Sequence, residues 1–200
     1  MSVTKFIQDT RKTARENGIK VRFEKKKELF DKGDVFTFAG YFWEHKQVLA
    51  IATNHPKETW LPILIHESCH MDQYLKDKYM WEKCNPGFQI FDSWAGCNAI
   101  IKREVLEEAV QDIIRLELDC ERRTIAKIKK YNLDIIDLKK YIKTANINLY
   151  SYLFTLETKR MINNHDNPEL LAAAPSILKK SYTKVPRRLF RAMYKDSKPQ

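Results

Sequence analysis

An α+β fold is what this sequence predicts, and three observations predict it. Period-two apolar alternation is confined to the first 52 residues. Helical spacing dominates from Thr59 onward. At that junction Trp60-Leu-Pro-Ile-Leu-Ile65 is apolar almost all round, the pattern of a buried helix. Strands early and helices late are the α+β arrangement.

The elements follow in order. Val3, Phe6, Ile7 and Ala14 share a face, so residues 3–17 read as a helix that Gly18 stops. Ile19, Val21 and Phe23 alternate with polar residues and predict a strand. Phe36, Phe38 and Gly40 alternate again and lead into Tyr41-Phe-Trp43. Val48–Ala52 is an apolar run of strand length, and Glu44-His-Lys-Gln47 between the two runs predicts a hairpin. The expected sheet is therefore a small N-terminal antiparallel sheet or hairpin packed on the helix that follows. Thr59 is the expected cap of that helix, with Pro62 in its first turn and its end near Asp77. Residues 79–97 hold Asn85-Pro-Gly87, several aromatics and Gly96, and read as a loop-rich connection. Asn98 is the expected cap of a long helix ending near Tyr131-Asn132, and Asp137 that of a second one through Leu156. Asn163–Pro168 breaks the pattern, and a short helix runs from Pro168 toward Leu178.

The chain has 200 residues, 44% of them hydrophobic, enough to bury a core without disulfides. Cys69, Cys84, Cys97 and Cys120 form no C-x-x-C pair, so free thiols in a reducing compartment are expected. Mean hydropathy is −0.53, no apolar run has the length of a membrane span, and the first residues lack the apolar stretch of a secretory signal. The expectation is a protein that stays in the cytoplasm, or the host cytoplasm if phage-encoded. The net charge of +10 is unevenly placed: residues 179–198 carry eight Lys or Arg against Asp196 alone, a net of +7. The expected organisation is a domain over 1–178 and a basic tail over 179–200. That tail interleaves Tyr182, Phe190 and Tyr194 with its cations. It suits nucleic acid or an acidic partner, or else is an amphipathic helix packing Leu189, Phe190 and Met193 on the body.

Residues 66–70 read His-Glu-Ser-Cys-His. Two histidines four apart lie one turn above each other on a helix, so both imidazoles can converge on one ion. Glu67 is turned by about 100° from His66 and flanks the ion as a general base. This is the H-E-x-x-H arrangement of zinc hydrolases. Imidazole suits zinc, and a catalytic zinc keeps a position open for water. A polar cap on the wet end of a core helix is the plainer reading. It does not explain His66 and Glu67 placed directly after an apolar run, where lone polar groups are costly. The remaining histidines, His45, His55 and His165, do not form the H-x-x-G-x-x-H extension. The third ligand is therefore expected from Leu116-Glu-Leu-Asp-Cys-Glu-Arg-Arg123, where Glu117 and Glu121 share a face. Glu117 is the favoured ligand, with Glu121 hydrogen-bonded to a ligating histidine. Cys69 and Cys120 are expected to be small core residues.

At these motifs the chain resembles a family. H-E-x-x-H followed on a later helix by E-x-x-x-[D/E/N] is the gluzincin pattern, and Glu117-Leu-Asp-Cys-Glu121 looks like the corresponding helix of HtpX-type and ImmA/IrrE-type metalloproteases. Gly40-Tyr-Phe-Trp43 and Trp60–Glu67 add a similarity to small bacteriophage-encoded metallopeptidases. The resemblance covers roughly residues 36 to 125. It implies a zincin-like catalytic domain, Zn2+ on His66, His70 and Glu117, a histidine oriented by Glu121, and a peptide or protein substrate. The chain departs from the pattern with Glu121 where Asp or Asn is usual. Tyr141, Tyr150, Tyr152 and His165 are candidate oxyanion stabilisers, and a hairpin edge could hold an extended peptide. Two other readings stand beside this one: a nucleic-acid-associated or phage structural protein whose metal site is structural or vestigial, and a zinc hydrolase of non-peptide amides. An intact Glu67 favours an enzyme, because a structural site needs no base.

Overall fold

A computed structural model describes residues 2–30 and 37–199. The fold is α+β and mostly helical. Phe36, expected in the first strand of the hairpin, lies outside the described residues. Two compact units form, Met1–Lys78 with Cys120–Asp137, and Tyr79–Asp119 with Leu138–Gln200. Among the described residues no helix is long and apolar enough to cross a membrane.

In the first unit, helix α1 (Val3–Glu16) starts at Ser2, whose hydroxyl accepts from the Lys5 amide, and buries Phe6, Thr10 and Ala14 along one face. Gly18 follows at φ +71°, a left-handed conformation that suits glycine. Strands β1 (Lys20–Glu24), β2 (Gly40–Trp43) and β3 (Val48–Ala52) make one sheet in the order β1-β3-β2. The expected hairpin is β2–β3, closed by a 3-10 turn over Glu44–Lys46 with Gln47 at φ 49°. The sheet is mixed, which corrects the antiparallel expectation: β1 runs parallel to β3, pairing Lys20 with Val48 through Glu24 with Ala52. A central strand is covered on both faces, which is why Leu49–Ala52 is continuously apolar and fully buried.

Helix α2 (Lys57–Lys76) packs on β2 and β3. It begins after Pro56, two residues before the expected cap Thr59, so Pro62 lies inside it rather than in its first turn. The Thr59 amide bonds the Pro56 carbonyl at 3.0 Å and is already helical. The missing Pro62 amide would have served the Glu58 carbonyl, near the start of the helix, so little pairing is lost. At Gly40 an added Cβ would lie 2.7 Å from Ile51 of β3 and Ile63 of α2. The absent side chain brings the sheet edge close to the helix that carries the histidines.

Helix α5 (Arg103–Tyr131) contributes its C-terminal part to this unit. Tyr131 donates to Asp9 at 3.0 Å and stacks edge-on against Phe6. Lys127 bonds the Ser68 hydroxyl at 2.8 Å and Asp72 at 2.7 Å, tying α5 to α2. Burial alone would raise the Asp72 carboxyl, but Lys127 and Lys76 hold it below its ordinary range.

The second unit corrects three expectations. Residues 79–97 are helical, as α3 (Lys78–Cys84) and α4 (Pro86–Cys97), because Pro86 occupies the first helical position where its missing amide costs nothing. Asn98 ends α4 in the left-handed region at φ 54° instead of capping α5, which starts at Arg103. Asparagine tolerates that conformation better than most residues. Helix α7 (Pro168–Ala173) stops short of Leu178 because Ala174 is extended before Pro175. Helix α6 (Leu138–Thr158) starts directly after Asp137, near the expected position. Strands β4 (Arg160–Ile162) and β5 (Ser197–Pro199) pair antiparallel.

Phe91, Ile113, Ile147, Phe154 and Leu170 build this core. Asn146 of α6 is fully buried, donates to the Pro175 and Ile177 carbonyls at 3.1 Å and accepts from Tyr182. Helix α8 (Arg187–Asp196) buries Leu189 and Met193 completely, so the basic segment packs as an amphipathic helix. At Gly87 a Cβ would stand 2.8 Å from the Ala109 carbonyl oxygen of α5. Backbone cannot swing aside, so Gly87→Ala should destabilise by about 1–3 kcal/mol. The helix-propensity gain of at most ~1 kcal/mol does not offset it. Urea unfolding checks this, and a stabilised variant would show α4 and α5 packed less closely.

Candidate metal centre

The site begins with the 3.6-residue period. His66 and His70 stand one turn apart on α2, and their Nε2 atoms are 3.1 Å apart. Two nitrogens on one tetrahedral zinc, at roughly 2.0–2.1 Å each, lie about 3.4 Å apart. The histidine pair is already near that spacing.

Each ring is held from its other nitrogen. His70 Nδ1 is 2.8 Å from Gln73 Oε1, and the Gln73 side chain is fully buried. An amide oxygen only accepts, so Nδ1 carries the proton and Nε2 presents a lone pair. His66 Nδ1 lies 3.4 Å from Glu121 Oε1, and Glu121 is only 2% exposed. A carboxylate buried that deeply requires a partner. Such outer contacts fix the tautomer and orientation of metal-binding histidines.

Glu117 is half-buried one turn before Glu121 on the continuous helix α5. Among the described residues two groups could hold an ion, with ligand atoms all within 4.8 Å of one another: His66, Glu117 and Glu121, and His66, His70 and Cys120. His66 belongs to both. Neither group holds His70 and Glu117 together. Glu67 is half-buried beside His66, and among the described residues no hydrogen bond or ion pair engages its carboxylate.

Cys120 was expected to be a core residue. It is fully buried, but its thiol also lies 3.6 Å from His66 Nδ1 and donates to the His66 carbonyl at 3.3 Å. Cys69 is fully buried beside Cys120 and takes a hydrogen bond from Thr124 at 3.4 Å. Burial would raise its thiol, yet Cys120, Lys127 and Thr124 together bring it below the ordinary thiol range. Gln73 and Cys120 are the two site residues that sequence reasoning did not place. The i+3 spacing of Gln73 from His70 was the available signal for the first. Gln73→Leu keeps the volume and removes the acceptor, so metal affinity should fall about 10–100-fold. A chelator competition titration measures this, and unchanged affinity would make the Gln73 contact incidental.

The oxyanion candidates sit in the second unit. Tyr152 packs edge-on against Phe91, and Tyr150 lies against Tyr182 with its hydroxyl buried and unpartnered among the described residues. Burial holds the His165 imidazole below its ordinary range, opposed by Asp196 and Asp166.

No family model matches this chain, and comparison with characterised proteins and with solved structures gives no significant match. Imidazole with thiol in one group, and imidazole with carboxylates in the other, are donor sets that fit zinc.

Proposed function

We propose that this protein is a zinc-dependent hydrolase of peptide bonds. The observation that carries the proposal is the histidine pair at 3.1 Å, each ring held from behind by a buried side chain. In this reading His66 and His70 hold the ion and Glu117 is the third ligand. Glu121 orients His66 and Gln73 orients His70. When bound, zinc would lower the pKa of a coordinated water and polarise the scissile carbonyl. Glu67 accepts the proton from water and returns it to the leaving nitrogen. A non-peptide amide would use the same chemistry.

The thiol of Cys120 favours a second reading, a structural site that it shares with His66 and His70. Metal analysis of the purified protein, followed by digestion of a peptide library with and without chelator, separates the two. Chelator-sensitive cleavage supports the hydrolase. Stoichiometric zinc with no cleavage across the library supports the structural site, and absence of bound metal defeats both.

A further inference from the structure

Helix α8 divides sharply by angle. At 100° per residue, Leu189, Ala192 and Met193 occupy one arc and are buried. Arg187, Arg188, Arg191, Tyr194 and Lys195 occupy the opposite arc and are all exposed. Four cations thus project from one face, spread over about 12 Å of axis at 1.5 Å per residue.

These cations are not consumed within the fold. Among the described residues no ion pair engages Arg187, Arg188 or Arg191. Lys195 meets Glu169 at 3.5 Å, but both are well exposed, and such a pair exchanges readily for another anion. Asp196 is turned away, accepting from the Asn163 and Asn164 amides at 3.1 Å and from Asn167 at 2.6 Å. The unopposed charge therefore faces solvent.

An aromatic surface accompanies it. Tyr194 is 52% exposed, and the Arg160 guanidinium lies 4.6 Å from its ring centroid. Phe190, Arg191, Tyr194 and Lys195 line a shallow hollow. An anionic membrane would call for an apolar face to insert, and here Leu189 and Met193 are buried in the core. Arginine forks suit phosphate, and an exposed tyrosine among cations suits an unpaired base.

We infer that the exposed face of α8 binds single-stranded nucleic acid, its arginines on phosphates and Tyr194 stacking on a base. This is independent of the metal centre. The test is fluorescence anisotropy of the full chain with a labelled single-stranded DNA over a range of salt. The logarithm of affinity should fall against log salt with a slope of about −2 to −4, for three to five phosphates neutralised. Arg187→Gln/Arg188→Gln/Arg191→Gln should reduce that slope by about 2 and leave the thermal transition unchanged, since all three side chains are exposed. Tyr194→Ala should weaken single-strand binding about five-fold or more without affecting any duplex binding. Lys20→Gln/Lys25→Gln/Lys27→Gln removes equal charge from exposed positions elsewhere and should change little. No binding at low salt, duplex bound as tightly as single strand, equal loss in the charge-matched control, or equal competition by polyglutamate would each overturn the assignment.

Discussion

Glu67→Gln should all but abolish hydrolysis while zinc stays bound. The substitution keeps the size and polarity of the side chain and removes its basicity. His66, His70 and Glu117 are untouched, and among the described residues no hydrogen bond or ion pair of the Glu67 carboxylate is lost. General-base assistance typically accounts for a factor of about 10² to 10⁴ in rate. Turnover of a library-identified peptide should fall by at least that range, with metal content unchanged. The pairing of the two readouts matters. Lost activity with lost metal would mean that Glu67 supports the site. Full activity would remove it from the mechanism.

The second large effect concerns the ligands. His66→Ala should lower zinc affinity most, because His66 belongs to both candidate groups. His70→Ala and Glu117→Ala should each cost more than the ~10–100-fold typical of an outer contact. Glu121→Ala should fall within that range. Cys120→Ser decides between the two groups. A hydroxyl is a poor substitute for a thiolate on zinc, so a thiolate-bound ion would be lost, whereas an ion on Glu117 would remain. Zinc retained in Cys120→Ser and lost in Glu117→Ala supports the catalytic arrangement, and the reverse supports the structural one. Retention in Glu117→Ala with loss in Glu121→Ala would exchange the roles of the two glutamates.

Much of this geometry was legible in the sequence because helical periodicity is rigid. His66 and His70 had to share a face wherever α2 lay, and Glu117 and Glu121 had to share one on α5. The hairpin was legible for a similar reason, since two apolar runs flank four polar residues. The direction of β1 was not legible, because alternation reveals which face is buried but not which strand is the partner. Asn85-Pro-Gly87 misled because proline and glycine signal a turn and a helix start alike. Gly87 is explained by the Ala109 carbonyl and the Ile113 side chain of α5, a helix distant in sequence. Cys120 escaped for a further reason. Its distance to His66 depends on how α2 and α5 pack, and no local pattern encodes that packing.

The segmentation of the first unit bears on when the candidate site could assemble. Residues 79–119 intervene between its two pieces, so His66 and His70 leave the ribosome well before Cys120 and Glu121. A nascent chain ending at Lys78 holds the histidine pair and nothing from α5. Closing so long an interval costs little more than closing a short one, because loop entropy grows only logarithmically with length. It does delay the event, since distant contacts form slowly. If the pair binds metal, the nascent chain would present only a bidentate imidazole pair. Under the zinc-hydrolase proposal, any selectivity for zinc would be set only once the donors of α5 pack against α2.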